Sequence, residues 1–558
     1  MNDSEKLPIT SEGDHDINTP SPNPKRHSSE EKDEDSRPSE DTDHETDHDS
    51  QDDTLSRVSS GPPYIAMNFV SALVSPFTAN VYFPAIPALS ESLGVTIGQI
   101  NLTLTTYMIF QGLAPTIFGD FGDIAGRRPA FIVAFTIYLG ANIGLALQRD
   151  YAALLILRMV QSGGSSGTIA LVYAVVADIA PSSERGKYMG LVGAGITIGP
   201  SIGPVIGGLL SQYLGWPSIF WFLVILTVVL MIPYVLAVPE TGRKIVGNGS
   251  IPPPLWNMTL LDYIRFRRQP RDRSSAPTRQ KIPLPNPFHA LAVLWQKDMA
   301  MILFYNATLY LGFMIVTATL SSQFAEIYGY DELQLGLCFL PIGVACTLAS
   351  IGNGFLADWN YRRIARRLGV RLDRRRGHDL ADFPIEKVRI QLVYPLVALG
   401  SAVYVGYGWA LQRETHVAVP LVLSFFIGLC VTGPFQIINL LIVDLYPEAP
   451  ATATAANNLS RCLLGAVATA VIEDMIGAMG RGWAFTFIAL LFTAFSPSLW
   501  IIQKHGPRWR RERLEKMKRA AEKKEAAAEE KAKTPVVGDA GDGTMAKPRL
   551  MMTKECYE

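Results

Sequence analysis

The sequence predicts an all-α membrane protein in which twelve transmembrane helices form two six-helix halves and both chain termini lie in the cytosol. Three observations predict this fold. Of the 558 residues, 48% are hydrophobic and only 18% are charged, which is typical of membrane proteins rather than soluble enzymes. Long charge-free runs recur along the chain, and the same short motifs occur in its two halves.

The first 60 residues differ from the rest of the chain. They contain 18 Asp or Glu, 6 Lys or Arg and almost no large apolar side chains. Such a segment buries too little apolar surface to offset the entropy lost on ordering. We therefore expect residues 1–60 to form a disordered acidic tail. We do not expect it to act as a secretory signal, since it lacks the basic start and the apolar core of one.

Membrane spans follow this tail, and each needs about 20 mainly apolar residues. Charge-free runs lie at 61–90, 92–119, 129–148, 159–177, 188–239, 299–325, 333–357, 390–412, 417–443, 462–472 and 482–503. The run at 188–239 is long enough for two helices, with "YLGWPS" (213–218) as the turn. Arg158 lies inside the fourth span and Arg461 inside the eleventh. The count is twelve, with six spans in the N-terminal half (61–239) and six in the C-terminal half (299–505).

Basic residues predict the orientation of these spans, because cytoplasmic loops carry an excess of Lys and Arg. The central loop, residues 240–298, contains ten of them, and "RRIARRLGVRLDRRR" (362–376) follows the eighth span. Acidic residues occupy the alternate loops. The central loop is therefore predicted to be cytosolic. So is the C-terminal tail, residues 506–558, which is basic at first and then of low complexity.

An internal repeat supports the division into halves. Five residues after the second span recur at the same spacing after the eighth: Gly119, Asp123, Gly126, Arg127 and Arg128 match Gly354, Asp358, Tyr361, Arg362 and Arg363. A second repeat follows the fourth and tenth spans, as "ADIAP" (177–181) and "VDLYP" (443–447). Two matched six-helix halves indicate a duplicated transporter bundle with its substrate cavity between the halves.

These motifs resemble those of the major facilitator superfamily, and within it the fungal twelve-helix drug:H⁺ antiporters. The stretch "SPFTANVYFPAIPAL" (75–89) is most similar to the quinidine/polyamine-resistance branch. The resemblance covers about residues 61–505. It implies efflux of small organic molecules such as drugs, toxins or metabolites, by alternating access and proton antiport, as in multidrug resistance.

The loop "GDFGDIAGRRP" (119–129) is the first candidate functional element. Gly126 can adopt positive φ in a tight turn, Gly119 permits close helix approach, and Arg127 can pair with a carboxylate. The resemblance implies that Arg127 pairs with Asp178, that Asp123 faces the start of the eleventh span, and that together they latch the cytosolic side shut. In the alternative interpretation, Arg127 and Arg128 only set the orientation of the spans in the membrane.

The fifth span carries the second candidate element, a glycine row. Its members are Gly195, Gly199, Gly203 and Gly207, interleaved with Pro200 and Pro204. Glycine at every fourth position forms a groove in which another backbone packs closely, and the prolines are expected to bend the helix. The resemblance identifies this row as an antiporter motif and favours export over uptake. Packing alone is the other interpretation.

Arg158 and Arg461 are the two charges predicted to lie inside spans, where each costs roughly 2.5–3.5 kcal/mol. The resemblance implicates Arg158 in proton coupling, and we assign Arg461 the same candidate role, although it could instead reach the cytosolic interface. Arginine does not release its proton. The proton carrier must therefore be an acid at a span end, or a histidine: Asp123, Asp178, Asp444, Glu326, Glu473, Asp474 or His416.

The candidate substrate cavity is polar but holds no carboxylate. Its predicted members are Asn80, Tyr82, Gln111, Gln161, Gln323, Gln436 and Asn439. Amides suit neutral polar groups, and Arg158 could accept an anion. We therefore expect a neutral or weakly acidic amphipathic organic substrate.

Several functions are not expected from the sequence. The spans hold no nucleophile–base pair or metal-ligand cluster, and the chain has no phosphate-binding Gly-x-x-x-x-Gly-Lys-Ser/Thr loop. We therefore expect no enzyme activity, no metal, no cofactor other than the coupling proton, and no nucleic acid. The expected state is a monomer in the plasma membrane, with the vacuolar membrane as the alternative. The rival functions are a proton-coupled importer and a non-transporting nutrient sensor.

Overall fold

The computed structural model describes residues 62–179, 185–247, 253–261, 263–264, 294–367, 384–446 and 450–533. These residues belong to one compact unit, 53–558, and every regular element within them is a helix. The predictions for residues 1–60, for most of the central loop and for the end of the tail fall outside the described ranges.

The N-terminal half contains seven helices, two of which make up the first predicted span. They are α1 (Pro62–Asn80), α2 (Ile86–Leu93), α3 (Ile97–Ala125), α4 (Arg127–Leu147), α5 (Tyr151–Ile179), α6 (Arg185–Leu214) and α7 (Pro217–Leu236). A 3₁₀ turn, Phe83–Ala85, separates α1 from α2. The hydroxyl of Thr96 accepts a hydrogen bond from the backbone N–H of Gln99, and this capping box begins α3. Beyond α7, the short helix α8 (Arg243–Val246) and a 3₁₀ turn, Leu255–Asn257, begin the central loop.

The C-terminal half contains six helices. They are α9 (Lys297–Tyr328), α10 (Glu332–Cys338), α11 (Leu340–Arg367), α12 (Ile385–Gln412), α13 (Ala418–Leu445) and α14 (Pro450–Lys533). In α14 the backbone leaves helical geometry at Gly480, where φ is 80°. This break separates the eleventh from the twelfth predicted span, and the helix continues into the predicted tail.

Nine helical segments of the described chain are long and apolar enough to cross a membrane. The helices α3 and α6 are not among the nine, although they have 29 and 30 residues. The two spans predicted within α14 count as one segment. The chain is thus a multi-pass helical protein, whereas the number twelve and the cytosolic position of the termini remain predictions.

Helix packing repeats between the halves, as the motifs indicated. In the N-terminal half α3 and α4 both pack on α5, α4 also packs on α7, and α1 packs on α6. The same relations recur in the C-terminal half, where α11 and α12 both pack on α13, and α9 and α12 pack on α14. Large apolar side chains such as Ile225, Val229 and Ile232 of α7 point outward and are exposed. A lipid environment removes the cost of exposing such a surface to water.

Helices α3 and α6 make the main packing contacts between the halves: α3 packs on α14, and α6 packs on α10 and α11. We call the end of the bundle with the turns at Gly94, Gly215 and Gly329 the distal face, and the end with Gly126 and Asp178 the terminal face. The terminal face is the one predicted to be cytosolic.

Candidate functional site

The loop between α3 and α4 forms an ion-pair cluster on the terminal face. Arg127 Nε lies 2.8 Å from Asp178 Oδ2 at the end of α5, and Arg127 Nη1 lies 2.5 Å from Asp123 Oδ1. Gly126 has φ of 112°, a conformation that side chains with a Cβ rarely adopt. The turn therefore directs Arg127 towards both carboxylates, and the Arg127–Asp178 pair is the one that the resemblance implied.

The close helix approach expected at Gly119 occurs one turn further along α3. A Cβ added to Gly119 would lie 3.8 Å from Ala170 Cβ, an ordinary contact. A Cβ on Gly122 would lie 2.6 Å from Leu171 Cδ2, which is too close to be accommodated without movement. Gly122 of α3, which is outside the predicted motif set, and Gly167 of α5, where a Cβ would meet the Phe118 side chain, both allow α3 and α5 to pack tightly.

Glu240 stabilises this loop, and the sequence analysis assigned it no role. Its buried carboxylate accepts hydrogen bonds from the backbone N–H groups of Arg127 (2.8 Å) and Arg128 (3.2 Å). It also accepts from the N–H groups of Thr241 and Gly242 and from Asn257 Nδ2 (2.7 Å). An anion is favoured at the start of α4, where backbone N–H groups are unpaired. Glu240 therefore ties the α3–α4 turn to the chain that follows α7.

Arg128 has a different position from Arg127. Its Nε donates to the carbonyl of Tyr234 (2.9 Å) and its Nη2 to that of Val235 (3.0 Å), at the end of α7. These carbonyls lie in the last helical turn, where a cation is favourable. Arg128 thus holds α4 against α7, and the structure places it outside the Arg127 ion pair.

The C-terminal half also has an ion pair on the terminal face, and its arginine is a residue that the sequence did not single out. Asp444, at the end of α13, lies 3.1 Å from Nη2 of Arg389 in α12, and Arg389 belongs to neither repeated motif. Nearby, Arg513 lies 2.5 Å from Asp298. The start of the predicted tail therefore packs into the C-terminal half through a mostly buried ion pair.

Arg158 is fully buried in the N-terminal half. Its guanidinium lies 4.1 Å from the ring centre of Tyr82 and 4.4 Å from that of Tyr107. Nη1 donates to Gln161 Oε1 at 2.6 Å, and Gln161 in turn donates to Asn142. Two aromatic faces and one amide thus surround the charge, and in the described chain no carboxylate lies within ion-pair distance of it.

Arg461 lies between the halves. Its Nη2 donates to Asn458 Oδ1 at 2.6 Å, and its guanidinium lies 4.8 Å from the ring centre of Tyr310. Asn458 donates across the interface to the carbonyl of Gln111 at 3.0 Å. Unlike Arg158, Arg461 is only partly buried, so it can contact a ligand between the halves.

The predicted cavity residues fall into three groups. Asn80, Tyr82, Gln111 and Gln161 are buried in the N-terminal half. In the C-terminal half Gln436 is partly buried, and Asn439 Oδ1 accepts from Asn306 and Asn457, both at 2.8 Å. Gln323 belongs to neither group, because it binds Arg481 on the distal face. The structure therefore removes Gln323 from the central set and adds Asn458.

The glycine row of α6 lies against α1. A Cβ on Gly195 would be 2.9 Å from the carbonyl oxygen of Phe69, and one on Gly199 would be 2.8 Å from the backbone nitrogen of Phe77. A Cβ on Gly203 would have slightly more room, at 3.2 Å from Asn80 Cβ. A Cβ on Gly207 would overlap the carbonyl oxygen of Val81. The helix continues through Pro200 and Pro204.

A second stripe of α6 faces the other half. A Cβ on Gly336 of α10 would lie 2.6 Å from the Pro204 carbonyl, and one on Gly343 of α11 would lie 2.6 Å from Ser201 Cα. One helix therefore packs tightly on α1 along the glycine row and on the opposite half along the neighbouring stripe.

Comparisons with known proteins give consistent results. A family model described as Major Facilitator Superfamily matches residues 69–469. The protein "MFS-type transporter phiD" of a fungal species is 45% identical over 453 residues, which cover 80% of this chain and 69% of that protein. "MFS-type transporter tstD" of Talaromyces stipitatus is 39% identical, with coverage of 82% and 83%. "Citrate exporter 1" of Aspergillus niger is 37% identical, with coverage of 81% and 87%.

Proposed function

The chain belongs to the major facilitator superfamily and is a multi-pass membrane transporter, and from this premise we propose that it exports a small organic molecule in exchange for protons. The family resemblance inferred from the motifs is confirmed. Export, proton exchange and the substrate class are the proposal.

The observation that carries the export proposal is the packing of the glycine row. Gly195, Gly199 and Gly207 lie where α6 approaches the backbone of α1, or of Val81 just after it, too closely for a Cβ, and Gly203 lies at a tight contact of 3.2 Å. By resemblance this row marks antiporters of the family. The name of the Aspergillus niger relative, Citrate exporter 1, supports the same direction.

Alternating access is the mechanism that we propose. On the distal face the halves touch through hydrogen bonds from Asn101 to Glu473 (3.4 Å) and between the hydroxyls of Thr105 and Thr469 (3.0 Å). We call this pair of hydrogen bonds the distal contact. In the proposed cycle the distal contact opens to release substrate, while the cluster around Arg127 closes the terminal face.

A neutral or weakly acidic amphipathic molecule fits the groups between the halves. Gln111 and Asn458 offer amide groups, and Arg461 offers a positive charge that an acidic substrate could contact. Fully buried Arg158 is not available for such a contact without movement of Tyr82 and Tyr107. We therefore propose Arg461 as the residue that meets the substrate, and Arg158 as a coupling residue in the wall. The proposed setting is a monomer in the plasma membrane.

Transport by purified protein in liposomes tests the proposal. Vesicles with a pH gradient are supplied with radiolabelled citrate and with a panel of neutral and acidic organic compounds. Exchange predicts that at least one compound accumulates in the compartment from which protons flow. Accumulation in the direction of proton flow would instead establish an importer, and absence of flux for the whole panel would favour the sensor.

A further inference from the structure

We propose that Glu473 is the proton-binding site of this transporter and that its protonation controls the closure of the distal contact. This inference rests on the proposed proton exchange. It selects one residue from the seven acids and histidines that the sequence left as candidates.

Glu473 contacts both halves of the protein. It lies in α14 and is partly buried. Its Oε1 accepts a hydrogen bond from Asn101 Nδ2 of α3 at 3.4 Å and another from the Ser322 hydroxyl of α9 at 3.2 Å. Because Asn101 belongs to the N-terminal half, the first of these bonds breaks whenever the distal contact opens.

The other candidate acids differ from Glu473 in their partners. Asp123 and Asp178 pair with Arg127, Asp444 pairs with Arg389, and Glu326 pairs with Arg481. A nearby cation stabilises the charged carboxylate, so protonation of any of these acids would have to compete with its ion pair. Asp474 and His416 are exposed on the distal face, where bulk water solvates them in either state.

The surroundings of Glu473 favour loss of its charge when the halves close. Both of its hydrogen-bond donors are neutral, and in the described part of the chain no Lys, Arg or His nitrogen lies within 4.0 Å of its carboxylate. The charged groups that act on it are the acids Glu326 and Asp474. Arg481, the cation of this region, is engaged by Glu326, Gln323 and Glu414. Burying a charge without a counter-ion is costly.

A cycle follows from this geometry. When the distal contact is open, Asn101 no longer donates to Glu473, and the carboxylate takes a proton from the distal side. The neutral carboxylic acid then permits closure. Glu473 then releases this proton towards the terminal side once the terminal face has opened. The deprotonated carboxylate, beside two acids, then favours reopening of the distal contact.

Distance measurements between spin labels on the distal face test the inference without a substrate. The labels are attached at Arg149→Cys and Arg413→Cys, two exposed positions in opposite halves, in full-length protein in nanodiscs. A single linked proton changes the closed-to-open ratio by at most about tenfold per pH unit. We expect this ratio to fall as the pH rises over about 5 to 8.

Three variants separate Glu473 from its surroundings. Glu473→Gln should show, at every pH, the closed-to-open ratio that the native protein has at low pH. Asp474→Asn, which removes the adjacent acid but leaves Glu473 in place, should keep a pH response, and Glu473→Asp should also keep one because it retains a titratable group. A pH response in Glu473→Gln equal to that of the native protein would overturn the inference, as would a native protein whose label distances do not change with pH.

Flux measurements in liposomes distinguish this inference from the proposed function. The probe is whichever compound of the panel the native protein transports. Glu473→Gln should lose accumulation driven by the pH gradient, by at least tenfold, but retain exchange of labelled for unlabelled compound. If the native protein shows no dependence on the pH gradient, the proposed function fails. If both proteins depend on it equally, only the assignment to Glu473 fails.

Discussion

Replacing Gly207 with alanine tests the packing of α6 on α1 directly. The added Cβ would overlap the carbonyl oxygen of Val81, so the two helices must separate locally. Overpacking of this kind costs typically about 1–3 kcal/mol. Against a backbone atom, which cannot rotate away as a side chain can, we expect the upper part of that range.

Gly193 is the matched control in the same helix. Nothing lies within 4 Å of a Cβ built there, so alanine gains only the helix preference over glycine, about 0.5–1 kcal/mol. The predicted difference in the free energy of unfolding between Gly193→Ala and Gly207→Ala is therefore about 2–4 kcal/mol. Gly203→Ala, whose Cβ would meet Asn80 Cβ at 3.2 Å, should fall between them.

The measurement is equilibrium unfolding of purified protein in mixed micelles with increasing denaturing detergent, followed by circular dichroism. Equal stabilities of Gly193→Ala and Gly207→Ala would refute the close approach of α6 to α1. That result would also mean that close helix packing does not explain why glycine occupies these positions, and the structural support for export would be lost.

Two further predictions concern the terminal face. Glu240→Gln places an amide NH₂ against the N–H donors at the start of α4, so it should lower the free energy of unfolding by about 1–3 kcal/mol. The control, Glu91→Gln at an exposed position, should change it by less than about 0.5 kcal/mol. Equal effects of the two variants in a denaturation series would contradict the assigned role of Glu240. Arg389→Leu leaves Asp444 without its cation and should cost roughly 3–5 kcal/mol, while Arg363→Leu should stay near the native value. A larger loss for Arg363→Leu than for Arg389→Leu, measured in the same way, would contradict the pairing of Asp444 with Arg389.

Much of the candidate site was predictable because its members lie in short motifs. The turn at Gly126 and the basic residue after it are three to four residues from Asp123, and the resemblance then named Asp178 as the partner of Arg127. Gly122 and Glu240 were missed for a different reason. A glycine or a glutamate has no pattern of its own that reveals which atoms of a distant helix will approach it.

The sequence by itself determined that this chain is a multi-pass helical protein with an internal repeat. The bilayer requires long apolar helices whose backbone hydrogen bonds close within each segment, so composition along the chain is sufficient to identify them. Only the tertiary structure decided that Arg389 pairs with Asp444 and that Glu473 meets Asn101, 372 residues away in the chain. Such pairings depend on which helices touch and at what depth, because a charge is stabilised or destabilised by the groups within a few ångströms of it, whatever their separation in sequence.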